Sequence, residues 1–84
     1  MNPRKLLRKA LASPNNLRFG DLVTLIEAFG FRLARISGSH RIFEHPGVAQ
    51  LLNVQDRKGK GKAYQVRQFL ELVEVHNLQL GDET

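Results

Sequence analysis

The chain has 84 residues, 42% of them hydrophobic, which is enough for one compact domain with a modest core. It has no cysteine, so disulfides and thiolate metal sites are excluded, and a reducing cytoplasm is the expected location. Lysine and arginine outnumber acidic residues 13 to 8. This excess favours an anionic partner, which charge alone leaves open between nucleic acid, an acidic protein and a membrane surface. No apolar run approaches the ~20 residues of a membrane helix, and no secretory apolar core is visible.

The first predicted element is a helix from about Pro3 to Ala12, because Asn2 is a good N-cap and proline favours the first helical position. Its apolar stripe is Leu6, Leu7, Ala10 and Leu11, and its basic face is Arg4, Lys5, Arg8 and Lys9. A basic face can dock on an acidic partner, but it is more often simply solvated. Proline and paired asparagines then break the chain, so residues 1–16 are predicted to form an N-terminal helical extension.

A second helix and three strands follow in the predicted order. The apolar residues between Phe19 and Phe29 recur at helical spacing, and Gly30 provides a C-terminal stop. Strands are predicted over about 31–37, 40–45 and 50–55, separated by turns at Gly38-Ser39 and Pro46-Gly47.

The rest of the chain predicts a basic segment, a closing helix and an acidic tail. Residues 57–62 alternate basic residues with glycine and predict a flexible loop, and the spacing of apolar residues predicts a helix from about Tyr64 to Asn77. Residues 17–80 are therefore predicted to form an α+β domain with a three-stranded antiparallel sheet and two helices on one of its faces. Residues 81–84 form the predicted tail.

His40 is the strongest chemical candidate. It follows the Gly38-Ser39 turn, where the flanking strands hold an exposed side chain in a fixed position. The unperturbed pKa of histidine lies near neutrality, so the ring can take up and release protons at physiological pH. Strand alternation puts Arg41 on the other face, together with Phe43, which we expect in the core. A histidine in such a position is nevertheless more often a surface or capping residue.

Several residues near His40 are candidates for binding a phosphate. Arg41 carries a guanidinium that matches phosphate bidentately, and Ser39 lies at the edge of the turn. The remaining candidates, which can hold a phosphate and stabilise developing negative charge, are Lys58, Lys60, Lys62 and Tyr64. A solvated loop is an equally good interpretation of the lysines. The three histidines have no metal-binding spacing, so neither a metal nor a cofactor is predicted.

The segment from Gly38 to Phe43 resembles the Gly-Ser-His-x-x-Phe signature of the HicA family of toxins. The similarity extends from about Phe19 to Leu78 in the order of the elements. Many HicA toxins carry a second histidine at the end of the third strand, where this chain has Gln55. What looks like a subgroup carries a Lys-x-Tyr-Gln segment, as residues 62–65 do here.

HicA toxins are small ribonucleases that cleave mRNA and are silenced by a HicB antitoxin. The resemblance therefore implies a fold like that of the double-stranded-RNA-binding domain and the toxin role in a type II toxin–antitoxin system. It also implies a metal-independent endoribonuclease with His40 as the catalytic residue. The implied partners are mRNA or another single-stranded RNA and a HicB-like antitoxin, with no membrane. A non-catalytic RNA-binding module of the same fold and a protein-interaction module remain the alternatives.

Overall fold

The computed structural model describes residues 2–81, which form a four-stranded antiparallel sheet packed against helices. The elements are α1 (Pro3–Ala12), a 3₁₀ turn (Pro14–Asn16), α2 (Phe19–Ala28), β1 (Arg32–Ser37), β2 (His40–His45), β3 (Val48–Arg57), β4 (Lys60–Gly61) and α3 (Ala63–Val75). The sheet order is β1-β2-β3-β4. The α+β class and the resemblance to the double-stranded-RNA-binding fold are confirmed, with four strands in place of the three predicted. Of the predicted acidic tail, residues 82–84 lie outside the described residues.

The α1 helix begins as its sequence predicts. The side-chain oxygen of Asn2 accepts the backbone N–H of Arg4 at 2.7 Å, and Pro3 occupies the first turn. Leu6 and Ala10 are fully buried, so α1 shares its core with the rest of the molecule. The division of the chain at residue 16 stays a prediction. None of the helices within 2–81 is long and apolar enough to cross a membrane.

The helices cover one face of the sheet. Phe43, Leu52 and Val54 project from β2 and β3 into the core and are fully buried. Phe69 of α3 is also fully buried, and its ring packs edge-on against Phe29 at a centroid distance of 5.7 Å. The opposite face, which we call the open face, exposes residues such as Arg35, Leu51 and Asn53. The alternation predicted for β2 and β3 therefore produces one buried and one accessible face.

The basic segment between β3 and α3 is not the flexible loop that its composition predicts. Lys58 and Gly59 have φ angles of 53° and 84°, the two positive values that a type I′ hairpin turn requires. The carbonyl of Gly59 accepts the N–H of Phe19 at 2.9 Å, and the N–H of Gly61 donates to the carbonyl of Leu17 at 3.1 Å. These bonds fix β4 between β3 and the start of α2, which is why the sheet gains a fourth strand.

Candidate functional site

Two tight turns lie side by side at one end of the sheet. Gly38 has a positive φ angle of 60°, whereas the φ angle of Ser39 is negative. This is the φ pattern of a type II′ turn. The carbonyl of Ser39 accepts the N–H of Asp56 at 2.9 Å and so joins this turn to β3, just before the Lys58-Gly59 turn. Each predicted site residue lies on one of these turns, on the strand that follows it, or at the start of α3. The fold thus gathers them at one end of the sheet.

His40 projects from β2 onto the open face. Its ring nitrogen Nδ1 lies 3.0 Å from the side-chain oxygen Oδ1 of Asn53, on the neighbouring strand. An amide oxygen only accepts hydrogen bonds, so Nδ1 carries the proton of the neutral ring and Nε2 keeps its lone pair. Among the described residues, Nε2 has no hydrogen-bond partner. The ring is therefore oriented by one nitrogen, and the other is available to a ligand.

Gln55 is the residue closest to where the resemblance described above led us to expect a second histidine. It lies directly opposite His40 in the register of β2 and β3. Its backbone N–H points away from β2 and donates to Oε1 of Gln65 at 2.8 Å. Gln55 and His40 consequently form a non-hydrogen-bonded pair of the two strands, in which the side chains are close to each other. The side-chain amide of Gln55 donates to the hydroxyl of Ser39 at 3.2 Å. An amide can contact a substrate here, but it does not exchange protons near neutral pH.

Arg41 lies on the opposite face of β2 from His40, as strand alternation predicts. Its guanidinium carbon lies 5.4 Å from the centroid of the Phe19 ring, close enough for a cation–π contact. Arg41 lines a shallow groove of about 330 Å³ together with Ser39, Lys58 and one acidic residue, Asp56. His40 and Arg41 therefore do not converge on one atom of a ligand, whereas Arg41 and Lys58 face the same groove.

A second, larger groove of about 770 Å³ is lined by the β3–β4 hairpin and the start of α3. Its charged lining residues are all basic: Arg57, Lys58, Lys60, Lys62 and Arg67. Tyr64, which is 58% exposed, also lines it, and Nζ of Lys62 lies 6.0 Å from the centroid of its ring. Lys58 lines both grooves and links them. Sequence reasoning missed Arg67, because a basic residue on a helix is usually just solvated.

The other two histidines lie away from this end of the sheet. Nδ1 of His45 accepts the N–H of Gly47 at 2.9 Å, and the His45 ring packs edge-on against Phe31 at 5.0 Å. His45 therefore stabilises the turn between β2 and β3. His76 is the C-cap of α3. Within residues 2–81, no group of three His, Cys, Asp or Glu residues is arranged to hold a metal ion.

The fold and the site together define a small α+β domain with basic grooves and an accessible histidine beside a hairpin turn. A family model described as HicA toxin of bacterial toxin-antitoxin matches residues 19–75, a segment that contains all the predicted site residues. The chain belongs to the HicA toxin family, and its role is that of the toxin in a toxin–antitoxin system. No curated protein and no solved structure matches the chain.

Proposed function

We propose that this toxin is a metal-independent endoribonuclease that cleaves mRNA, with His40 as its catalytic residue. The observation that carries the proposal is the contact between Nδ1 of His40 and Oδ1 of Asn53, which in the neutral ring puts the proton on Nδ1 and the lone pair on Nε2. Such a nitrogen is suited to act as a general base.

In the proposed reaction, Nε2 of His40 accepts the proton of a ribose 2′-hydroxyl. The 2′-oxygen attacks the adjacent phosphorus, and the bond from phosphorus to the 5′-oxygen of the next nucleotide breaks. That oxygen leaves as a hydroxyl after taking up a proton from solvent water, and His40 returns its own proton to solvent. The products are a 2′,3′-cyclic phosphate and a 5′-hydroxyl. Because the nucleophile belongs to the substrate, the step needs no metal-bound water.

The RNA-binding surface in this proposal comprises Ser39, Arg41, Lys58, Lys60, Lys62 and Tyr64. Arg41 and Lys58 contact the backbone in the smaller groove, away from the scissile phosphate, because Arg41 lies on the face opposite His40. Single-stranded RNA is the favoured substrate, since in-line attack by the 2′-oxygen needs a flexible backbone. The family's antitoxin partner is proposed to be a HicB-like protein that covers His40 and the basic residues.

A second candidate function is a non-catalytic RNA-binding module with the same surface. It is favoured by Gln55, whose amide opposite His40 cannot protonate the leaving oxygen as an acid would.

Cleavage of a single-stranded RNA by the purified protein separates the two candidates. We expect wild-type protein to cleave in EDTA, and we expect His40→Ala to lose cleavage with an unchanged circular dichroism spectrum. His76→Ala is the matched control, because His76 is exposed at the end of α3. Once the cut site is mapped, a substrate with a single 2′-deoxyribose there should resist cleavage. Full activity in His40→Ala would overturn the catalytic assignment, and salt-dependent binding without cleavage by the wild type would favour the second candidate.

A further inference from the structure

Gln65 is the only polar side chain that is buried within residues 2–81, with 4% of its surface exposed. Both ends of its amide are used. Its Oε1 accepts the backbone N–H of Gln55 at 2.8 Å, and its Nε2 lies 3.3 Å from the hydroxyl oxygen of Tyr64. The side chain therefore links the middle of the site to the larger basic groove.

The position of Gln65 explains why β3 can lack a strand beside Gln55. The β4 strand pairs only with Asp56 and Arg57, so the N–H of Gln55 lies just past the end of the pairing. The carboxamide of Gln65 takes the place that a further β4 residue would occupy. An apolar side chain here would leave a partly buried N–H without a partner.

Tyr64 combines an exposed ring with a hydroxyl that is held in place. The residue is 58% exposed and lines the groove whose charged residues are all basic. A flat aromatic surface among cations suits an unstacked nucleobase, whose phosphates the cations bind. An acidic protein segment would use the cations but has no need for the ring.

We propose that Tyr64 is a stacking platform for a nucleobase of single-stranded RNA, and that Gln65 is the positioning residue that holds it at a fixed distance from His40. This inference rests on the proposed RNA-cleaving function. Because β2, β3 and the Gln65 amide follow one another across the sheet, the amide lies about two strand spacings, ~10 Å, from β2. The Tyr64 hydroxyl is in turn 3.3 Å from the amide nitrogen. An RNA that crosses β3 would place one base on Tyr64 and a nearby phosphate at His40.

The chain offers a direct spectroscopic test, since it has one tyrosine and no tryptophan. Its intrinsic fluorescence therefore reports on Tyr64 alone. His40→Ala protein, which is not expected to cleave, is titrated with a short single-stranded oligoribonucleotide. We expect the tyrosine emission to be quenched with the same dissociation constant that anisotropy of a labelled RNA gives.

Variants of Tyr64 and Gln65 in the same background separate stacking from positioning. Tyr64→Leu should weaken RNA binding about 5- to 150-fold, the range for loss of one stacked base, whereas Tyr64→Phe should stay within a few fold of the parent. Gln65→Met should weaken binding and reduce the quenching amplitude. Gln68→Met is its control, because Gln68 is exposed on the same helix.

A double-mutant cycle distinguishes positioning from a general loss of structure. If Gln65 acts through Tyr64, then Gln65→Met adds little to the binding defect of Tyr64→Leu, while independent roles give losses that add. Additive losses would overturn the positioning role. RNA binding with no change in tyrosine emission, or undiminished binding by Tyr64→Leu, would overturn the platform and leave the proposed nuclease standing. Absence of RNA binding in the parent protein would overturn both proposals.

Discussion

At the scale of single residues, the contact between Asn53 and His40 decides which ring nitrogen meets the substrate. We expect Asn53→Ala to lower kcat about ten- to a hundredfold with little change in KM, because the ring loses its fixed orientation and tautomer. Steady-state cleavage of a short RNA measures both constants. Leu51→Ala is the control, since Leu51 lies on the same face of β3 and is 55% exposed. Equal losses in the two variants would contradict a specific role for the hydrogen bond.

Two phenylalanine rings test the packing beneath the site. Phe43 and Phe69 are fully buried, on the sheet and on α3 respectively. Replacing either with alanine should lower the free energy of unfolding by about 3–5 kcal/mol, since apolar transfer energy is lost and a cavity remains. Urea denaturation followed by circular dichroism gives the value. Val75→Ala, at a side chain that is 69% exposed, should cost far less. A Phe43→Ala protein as stable as wild type would refute the packing described for the sheet.

The sequence predicts on which face of the sheet His40 lies, but it does not predict which side chain His40 contacts. Strand alternation alone places His40 and Arg41 on opposite faces and Phe43 in the core, and the structure agrees. The contact with Asn53 depends on the register between β2 and β3, which the turn and an irregularity near His45 set. Such a register cannot be derived from local periodicity.

At the scale of elements, helical periodicity located all three helices to within two residues at each end. The β4 strand was missed because residues 57–62 contain no apolar residue, so no alternation marks a strand there. What makes it a strand is a turn with two positive φ angles and hydrogen bonds to residues 17–19, some forty positions earlier in the chain. The sequence marks Gln65 as part of the Lys-x-Tyr-Gln segment but does not predict its burial, since glutamine near the start of a helix is usually exposed.

The β3–β4 hairpin also yields a prediction about binding. Replacing Lys58, Lys60 and Lys62 together with glutamine should weaken single-stranded RNA binding and reduce the slope of log affinity against log salt by about 2, given about 0.7 per phosphate contact. Anisotropy titrations of labelled RNA at several salt concentrations measure the slope.

The α1 helix provides the matched control for that triple variant. This helix carries three basic residues whose total charge equals that of the three hairpin lysines: Lys5, Arg8 and Lys9. They line neither of the two grooves beside the turns. Their replacement with glutamine should leave the slope nearly unchanged. Equal effects of the two triple variants would mean that RNA responds to net charge alone, and an unchanged slope in the hairpin variant would place the binding surface elsewhere.

At the scale of the whole molecule, the helices and the site lie on different sides of the sheet. The helices fill one face, and α1, which precedes the segment that the family model matches, adds Leu6 and Ala10 to the core on that side. The open face carries His40, and within residues 2–81 the helices lie on the other face. Exposed apolar side chains such as Leu51 lie beside polar ones on the open face. A partner protein can therefore cover the proposed catalytic residue without disturbing the core.

The net charge of +5 and the open face lead to a prediction about the antitoxin. We expect the protein encoded next to this toxin to form a stable complex with it that does not cleave RNA, because it would cover His40 and the basic grooves. Complementary charge should make association faster at low salt, and apolar burial should set the lifetime of the complex. In a competition experiment, the antitoxin should displace labelled RNA from His40→Ala toxin, whereas an unrelated protein of similar acidity should not. A ternary complex that still cleaves RNA would contradict occlusion and would place the antitoxin on another surface.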